Sequence, residues 1–348
     1  MKRVRVFGLL ALLVLALVFP LLISDPGFDS IAIYTLLYAA AVTGWNLFSG
    51  YSGYISLGYA SFTGIGAYTL ALICDHWQIP SGFIPFMLLP VAGLVAGICA
   101  IPMGWVALRT RRVTFVVVTI AMMFVLQALA FNLSGFTSGS SGIIFPLTIW
   151  SGDFYNIPYY YVSLVLLVLA IAVSWRIRNS KYGLGLLAIR DDEDRALGLG
   201  VRTWAFKLSA FVISAFFGGM VGAMFAYYGG SIFPASAFDP VVNLSVALMG
   251  FLGGVGTLFG PIVGAFLLEP FQQYLTIQYG SLSLNLIILG SLLLLIILVL
   301  PGGIVPALRR IWLKRIAMRG AISPDSSHAI EEEGAVLLES GGGERDNR

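Results

Sequence analysis

One carboxylate, Glu269, stands inside a long apolar stretch of this chain. A carboxylate so placed is the usual mark of a proton or ion relay. It is followed by Pro270, so a plainer reading competes: a carboxylate near a helix break, facing water or partnered at an interface. Other chemistry-bearing residues are sparse. The two histidines, His76 and His328, fall at the end of an apolar run and in a polar tail, which excludes His-based catalysis and His-rich metal sites. Cys74 and Cys99 sit in or beside apolar segments without metal-ligand spacing, and read as small buried hydrophobes. No Gly-Lys dipeptide occurs, so there is no phosphate-binding loop, and any use of ATP must come from another chain.

Charge is concentrated in one internal segment, Arg176 to Lys207. It carries Arg176, Arg178, Lys181, Arg190, Arg195, Arg202 and Lys207 around an acidic cluster, Asp191, Asp192, Glu193 and Asp194. Each charge at a bilayer centre costs about 2.5–3.5 kcal/mol on the mildest insertion scale, so this segment is an aqueous loop. Leu186, Leu187, Ile189 and Leu197 lie among good helix formers, and Gly198 and Gly200 close the run. The pattern predicts an amphipathic helix over about Leu186 to Leu197, held at the cytosolic membrane surface and docking a soluble partner.

Two glycine-rich apolar stretches have a different chemistry. Gly50 to Tyr68 alternates Gly50, Gly53, Gly58, Gly64 and Gly66 with Ser52, Ser56, Ser61 and Thr63, just after Asn46. Met249 to Ala265 carries Gly250, Gly253, Gly254, Gly256, Gly260 and Gly264, after Asn243. Small residues let helices approach closely, and glycines allow breaks where backbone groups line a cavity. Both readings stand: close packing, or a neutral translocation path through Asn46, Ser56, Gly58, Ser61, Thr63, Gly64, Gly66, Asn243, Gly253, Gly254 and Gly256. Such a path suits a zwitterionic or uncharged solute with an apolar side chain.

The elements that must hold these residues follow from composition. Of 348 residues, 58% are hydrophobic and 11% charged, and the mean hydropathy is +0.91, which places the chain in the all-α polytopic membrane class. The net charge of +3 is spread over several loops, so nothing suggests nucleic acid as a partner; the partner of this surface is membrane lipid. Apolar runs predict spans at 7–23, 31–49, 54–74, 82–106, 113–132, 158–175, 207–228, 241–258, 259–277 and 284–300. The first is read as a transmembrane helix rather than a signal peptide, because no suitable cleavage site follows it. With ten spans and both termini in the cytosol, all 20 Lys and Arg residues fall inside, while Asp25, Asp29, Asp75, His76, Asp153 and Asp239 fall outside. Eight spans plus a re-entrant pair at 241–277 satisfy the same parity.

The membrane body is expected over 1–308, with its cytosolic loop at 176–207, followed by a basic and then disordered cytosolic tail at 309–348. Ser134 to Tyr161 is a long external loop, a candidate docking site for an external protein. Asn46-Leu47 before Gly66-Ala67-Tyr68 is echoed by Asn243-Leu244 before Gly264-Ala265-Phe266, a faint repeat whose two copies run in the same direction.

Three of these stretches resemble the branched-chain amino-acid ABC transporter permeases. GYSGYISLGYASFTGIGAY is similar to that family's signature through Gly50, Gly53, Ser56, Leu57, Gly58, Ala60, Phe62, Gly64, Ile65, Gly66, Ala67 and Tyr68; Tyr59 stands where the family often has a histidine. Ala188 to Ala223 resembles the family's cytosolic loop and following helix, and Gly250 to Ala265 its second glycine signature. The resemblance implies a coupling helix that fits a groove on an ATPase, here through Ala188, Arg190, Asp191, Glu193, Asp194, Ala196, Gly198 and Gly200. Asp194-Arg195-Ala196 stands where the family's Glu-Ala-Ala would be. It also implies two ATPase subunits that bind the ATP, a second homologous permease subunit, an extracytoplasmic solute-binding protein and a bacterial inner membrane. Leucine, isoleucine and valine, other amino acids, urea and short amides are substrates across the wider family. The expected function is therefore a transport subunit with no catalytic residue, cofactor or metal of its own. The alternatives are a gradient-driven secondary transporter, which would need buried relay charges, and a non-transporting scaffold, which would leave the glycines as packing alone.

Overall fold

The computed structural model describes residues 16–20, 26–145, 150, 154–279, 290–291, 302–308 and 310. The chain divides into two compact units, Met1–Val305 and Pro306–Arg348. The second has few described residues, and the tail expected to be disordered lies outside them. In the first unit the helices are α1 (Pro26–Ser52), α2 (Tyr59–His76), α3 (Ile84–Met87), α4 (Leu89–Ala107), α5 (Arg112–Asn132), α6 (Ser134–Thr137), α7 (Asn156–Arg178), α8 (Lys181–Asp191), α9 (Glu193–Gly198), α10 (Thr203–Gly229), α11 (Pro234–Ala237), α12 (Pro240–Gly253) and α13 (Gly260–Tyr279). A two-residue pair, β1 (Ile143–Ile144) against β2 (Ser231–Ile232), fastens the long loop after α5 to the connection after α10. The architecture is all-α and polytopic.

Among the described residues, six helical stretches are long and apolar enough to cross a membrane: Gly27–Ser52, Ile84–Ala107, Arg112–Asn132, Asn156–Arg178, Thr203–Gly229 and Pro234–Gly253. The runs expected at 7–23 and 284–300 lie largely outside the described residues. The spans expected at 54–74 and 259–277 are helical only as α2 and α13, and neither is among the six. In the first case residues 53–58 are not helical. In the second, α12 and α13 are separate helices with a break between them, and α12 at 14 residues is about 21 Å long against a hydrocarbon core of about 30 Å.

The core is built on α1, which packs against α7, α10 and α13, while α10 also packs against α2 and α4. Small residues make the closest of these contacts. A Cβ on Gly66 of α2 would lie 2.0 Å from the Gly219 carbonyl of α10, and one on Gly222 would lie 2.0 Å from the Thr63 carbonyl. The two helices therefore meet backbone to backbone. By contrast α4 and α5 leave Leu94, Ile98, Ile101, Val113, Val117 and Val125 exposed, an apolar face suited to lipid.

The two ends of the bundle differ in chemistry. One end is aromatic: the Tyr227 hydroxyl donates to the Gly82 carbonyl at 2.9 Å, the Tyr228 hydroxyl donates to Ser30 at 2.9 Å, and Phe86, Trp150 and Tyr159 cluster beside them. The other end is charged: Arg190 reaches the Gly50 carbonyl in the last turn of α1, Arg178 the Gly256 carbonyl just past α12, Arg112 the Arg190 carbonyl, and Lys207 pairs with Glu193.

Candidate functional site: two helix breaks above a charged loop

The glycine-rich stretches form two matching breaks. Residues 53–58 separate α1 from α2, and residues 254–259 separate α12 from α13, six residues in each case. Each break opens on a glycine with a left-handed backbone, Gly53 at φ 76° and Gly254 at φ 116°. L side chains rarely adopt such angles, which is why glycine ends both helices here. Counted from the breaks, Gly53 pairs with Gly254 and Tyr59 with Gly260, a register shifted from the one that pairs Asn46 with Asn243 and Gly66 with Gly264. Both copies do run in the same direction, α1 and α12 each ending at the charged end.

The two asparagines instead cross between the copies. Asn46 on α1 accepts from the Gly256 amide at 2.7 Å and donates to the Thr257 carbonyl at 3.0 Å. Asn243 on α12 accepts from the Ala60 amide at 2.6 Å and donates to the Met123 sulfur at 2.7 Å. Each asparagine thus satisfies backbone groups that the opposite break, or the helix start after it, leaves unpaired. Both are buried.

The first break re-enters the bundle rather than looping out. The Trp45 indole donates to the Ser56 carbonyl at 2.7 Å, the Ser56 amide donates to the Ser49 hydroxyl at 3.1 Å, and the Leu57 amide donates to the Thr119 hydroxyl at 3.3 Å. Gly58 leaves no room for a side chain, because its Cβ would fall 2.3 Å from the Thr119 carbonyl. Gly64 is pressed by the Phe238 ring and Gly253 by the Gly260 carbonyl. Ser61 is fully buried, and its hydroxyl has no hydrogen-bond partner among the described residues. Of the residues expected to form a path, Thr63 alone lines the cavity of about 290 Å³ between α1, α2, α10 and the 231–242 segment, with Tyr34, Tyr38, Phe225, Ser231 and Ser236. Asn46, Asn243, Gly66, Gly253, Gly254 and Gly256 hold helices and breaks together. Sequence spacing could not separate these two roles, because both demand small or neutral polar residues.

The charged loop folds as two helices where one was expected over Leu186–Leu197. Asp192 is extended (φ −156°, ψ 110°), and its carboxylate accepts from the Arg195 amide at 3.0 Å, so it ends α8 and caps α9. The signal was present as Asp192 before Glu193 and Asp194. Ser180 caps α8 in the same way, accepting from the Gly183 amide at 3.2 Å. Leu186, Ile189 and Ala196 pack inward, while Asp191, Asp194, Arg195, Leu197, Gly198, Leu199 and Gly200 face out and Ala188 is half-buried.

Three residues of the charged loop, Arg178, Arg190 and Glu193, turn inward instead of outward. The Arg190 guanidinium donates to the Gly50 carbonyl at 2.9 Å, and the tight space beside it is why Gly256 carries no side chain. Arg178 donates to the Gly256 carbonyl at 2.7 Å. Glu193 accepts from the Lys207 ammonium at 2.5 Å and from the Tyr54 hydroxyl. Burial would push the Glu193 carboxyl up, but the Lys207 and Tyr54 hydrogen bonds hold it below the usual carboxylate range. Sequence reasoning missed Tyr54 and Thr257, and treated Arg178 and Lys207 only as charges of an aqueous loop. The signal for Lys207 was its place four residues into an apolar helix. Glu269 lies within α13, which continues through Pro270, so the expected helix break there is absent. Its carboxylate is buried and accepts from Gln273, one turn on, at 3.3 Å.

No cluster of metal-ligating residues occurs among the described residues. Residues 27–297 match the family model for the branched-chain amino acid transport system permease component. The high-affinity branched-chain amino acid transport system permease protein LivM of Escherichia coli is 32% identical over 339 residues, covering 90% of this chain and 78% of LivM. The Salmonella typhimurium LivM is 32% identical over 327 residues, covering 86% of this chain and 75% of that protein. The autoinducer 2 import system permease protein LsrC of Yersinia pseudotuberculosis is 31% identical over 149 residues, 41% of this chain and 42% of LsrC. No solved structure matches. The chain therefore belongs to the branched-chain amino acid transport permease family, and is a multi-pass permease component of a bacterial inner membrane and not an enzyme.

Proposed function

We propose that this chain forms half of the translocation unit of an ATP-driven importer for branched-chain or related small amino acids, and that α9 docks the ATPase. The observation that carries this reading is the outward face of α9. Leu197 and Leu199 are exposed apolar side chains on a charged aqueous loop, flanked by Asp194 and Arg195, and Gly198 and Gly200 leave open space around them. Apolar anchors ringed by charge suit a groove on a soluble partner. The inward-facing Arg190 and Glu193 serve the permease itself.

The rest of the assembly follows from the family: two ATPase subunits, a second homologous permease and an extracytoplasmic solute-binding protein. Ten spans with both termini in the cytosol keep every basic residue inside, as do eight spans plus a re-entrant pair. In both, residues 1–308 form the permease body, 309–348 a cytosolic tail, and 134–161 faces the binding protein. The cavity beside Thr63 is lined by neutral groups, which fits an uncharged or zwitterionic solute with an apolar side chain. The partial match to LsrC supports a second reading in which the solute is an autoinducer rather than an amino acid.

Purifying the chain from native membranes tests the docking. Wild type brings down an ATPase; the double substitution Leu197→Glu with Leu199→Glu loses it while the chain still reaches the membrane. Retention of the ATPase by the double variant would sink the assignment of α9. Uptake of leucine against short amides and autoinducer-like solutes by the reconstituted complex decides the substrate class.

A further inference from the structure

Lys207 is 4% exposed, and its ammonium is held by three contacts from two other elements. Glu193 of α9 accepts from it at 2.5 Å, the Tyr54 hydroxyl accepts from it at 3.3 Å, and the Tyr54 ring lies 4.3 Å below it. The Tyr54 hydroxyl in turn donates to the second Glu193 oxygen. The three groups close a triangle joining α9, α10 and the first break. A buried ammonium without its carboxylate is costly, whereas Glu193 is 25% exposed and moves with α9. A displacement of α9 must therefore either carry Tyr54 with it or strand Lys207.

Tyr54 is well placed to pass on such a displacement. It follows Gly53, whose left-handed backbone makes the chain turn, and it precedes Ser56 and Leu57, which are tied to α1 and α5. The break leads directly into α2, on which Thr63 lines the cavity. We propose that Tyr54 and Lys207 are positioning residues for transport: they convert movement of the ATPase-docking helix into movement of the first break and of α2. This rests on the importer reading above.

The test uses the complete transporter, reconstituted in vesicles with its ATPases, partner permease and binding protein, and reads two rates: solute taken up and ATP hydrolysed. Tyr54→Phe removes one hydroxyl and keeps the ring; Lys207→Met keeps the length and removes the charge. The solute moved per ATP is expected to fall at least about fivefold in both, the lower end of coupling between distant sites. A merely structural role would lower both rates together through lost protein and leave their ratio unchanged. An unchanged ratio in Tyr54→Phe overturns the proposal, and that variant stays informative even if Lys207→Met does not assemble. A wild-type chain that captures no ATPase overturns the importer reading, and the proposal with it. A coupled wild type with coupled variants overturns the proposal alone.

Discussion

Asn46 and Gly256, 210 positions apart in sequence, share a hydrogen bond of 2.7 Å. It joins the last turns of α1 to the break between α12 and α13, and the same side chain donates to the next carbonyl, Thr257. The first half of the chain thus holds the second half's break in shape, while Asn243 does the converse at Ala60.

Asn46→Ala leaves a buried amide and a buried carbonyl without partners, at a cost of about 1–3 kcal/mol for each unsatisfied group. The expected outcome is a clear drop in the thermal midpoint of the detergent-solubilised protein. Asn46→Asp, which keeps the acceptor and loses the donor, should fall between. A wild-type midpoint in Asn46→Ala would show that water replaces both bonds.

Gly66→Ala places a methyl group 2.0 Å from the Gly219 carbonyl, a backbone atom that cannot swing away. Overpacking of this kind costs about 1–3 kcal/mol. Gly198→Ala meets nothing within 4 Å and should leave stability unchanged. Unfolding of the two variants side by side distinguishes a glycine required for helix contact from one that is not.

Gly256→Ala has a double penalty. Its φ of 80° disfavours any side chain, and the new methyl would sit 1.7 Å from the Arg190 guanidinium. Arg190 is expected to leave the Gly50 carbonyl, loosening α8 from α1. Faster amide exchange across Lys181–Asp191, measured against wild type, would register that release; unchanged exchange would count against it.

Acid should release α9. The Glu193 carboxyl lies below its ordinary value, so its ion pair stabilises the docked helix fully above the unfolded-state pKa and is lost as pH falls through the lowered folded-state value. Amide protection factors over residues 193–198 are therefore expected to hold from neutral pH down to the ordinary glutamate range near about 4.3 and to drop below it. Glu193→Gln should have lower protection at neutral pH and a flatter profile. A pH-independent wild type would show that the pair contributes nothing to docking.

Glu269→Gln removes the one charge within α13 and keeps the shape that meets Gln273. An ATP-driven importer should retain uptake in this variant, with no new dependence on the proton gradient. Loss of uptake that a collapsed gradient reproduces in wild type would favour the secondary transporter instead.

Much of the molecule was legible in the amino-acid order, for physical reasons that are local. Hydrocarbon excludes charge, so apolar runs and clusters of Lys and Arg were enough to identify an all-α membrane protein and its charged loop. Breaks at Gly53 and Gly254 were visible as glycines in apolar sequence, since few other residues tolerate those angles. The split of α8 from α9 was also written locally, in Asp192, among good helix formers that by themselves favour one continuous helix.

What only the tertiary structure decided was partnership. Whether Gly66 faces a cavity or a neighbouring backbone depends on where α10 lies, and nothing near Gly66 in sequence states that. Asn46 and Asn243 looked like equivalent copies because they precede similar glycine stretches; Asn46 in fact serves the second break, and Asn243 the helix start after the first. Lys207 looked like the end of a solvated loop, yet it is buried because Tyr54, 153 positions away, and Glu193 together satisfy its charge. The order of residues sets which groups must be satisfied, and the packing of helices distant in sequence chooses what satisfies them.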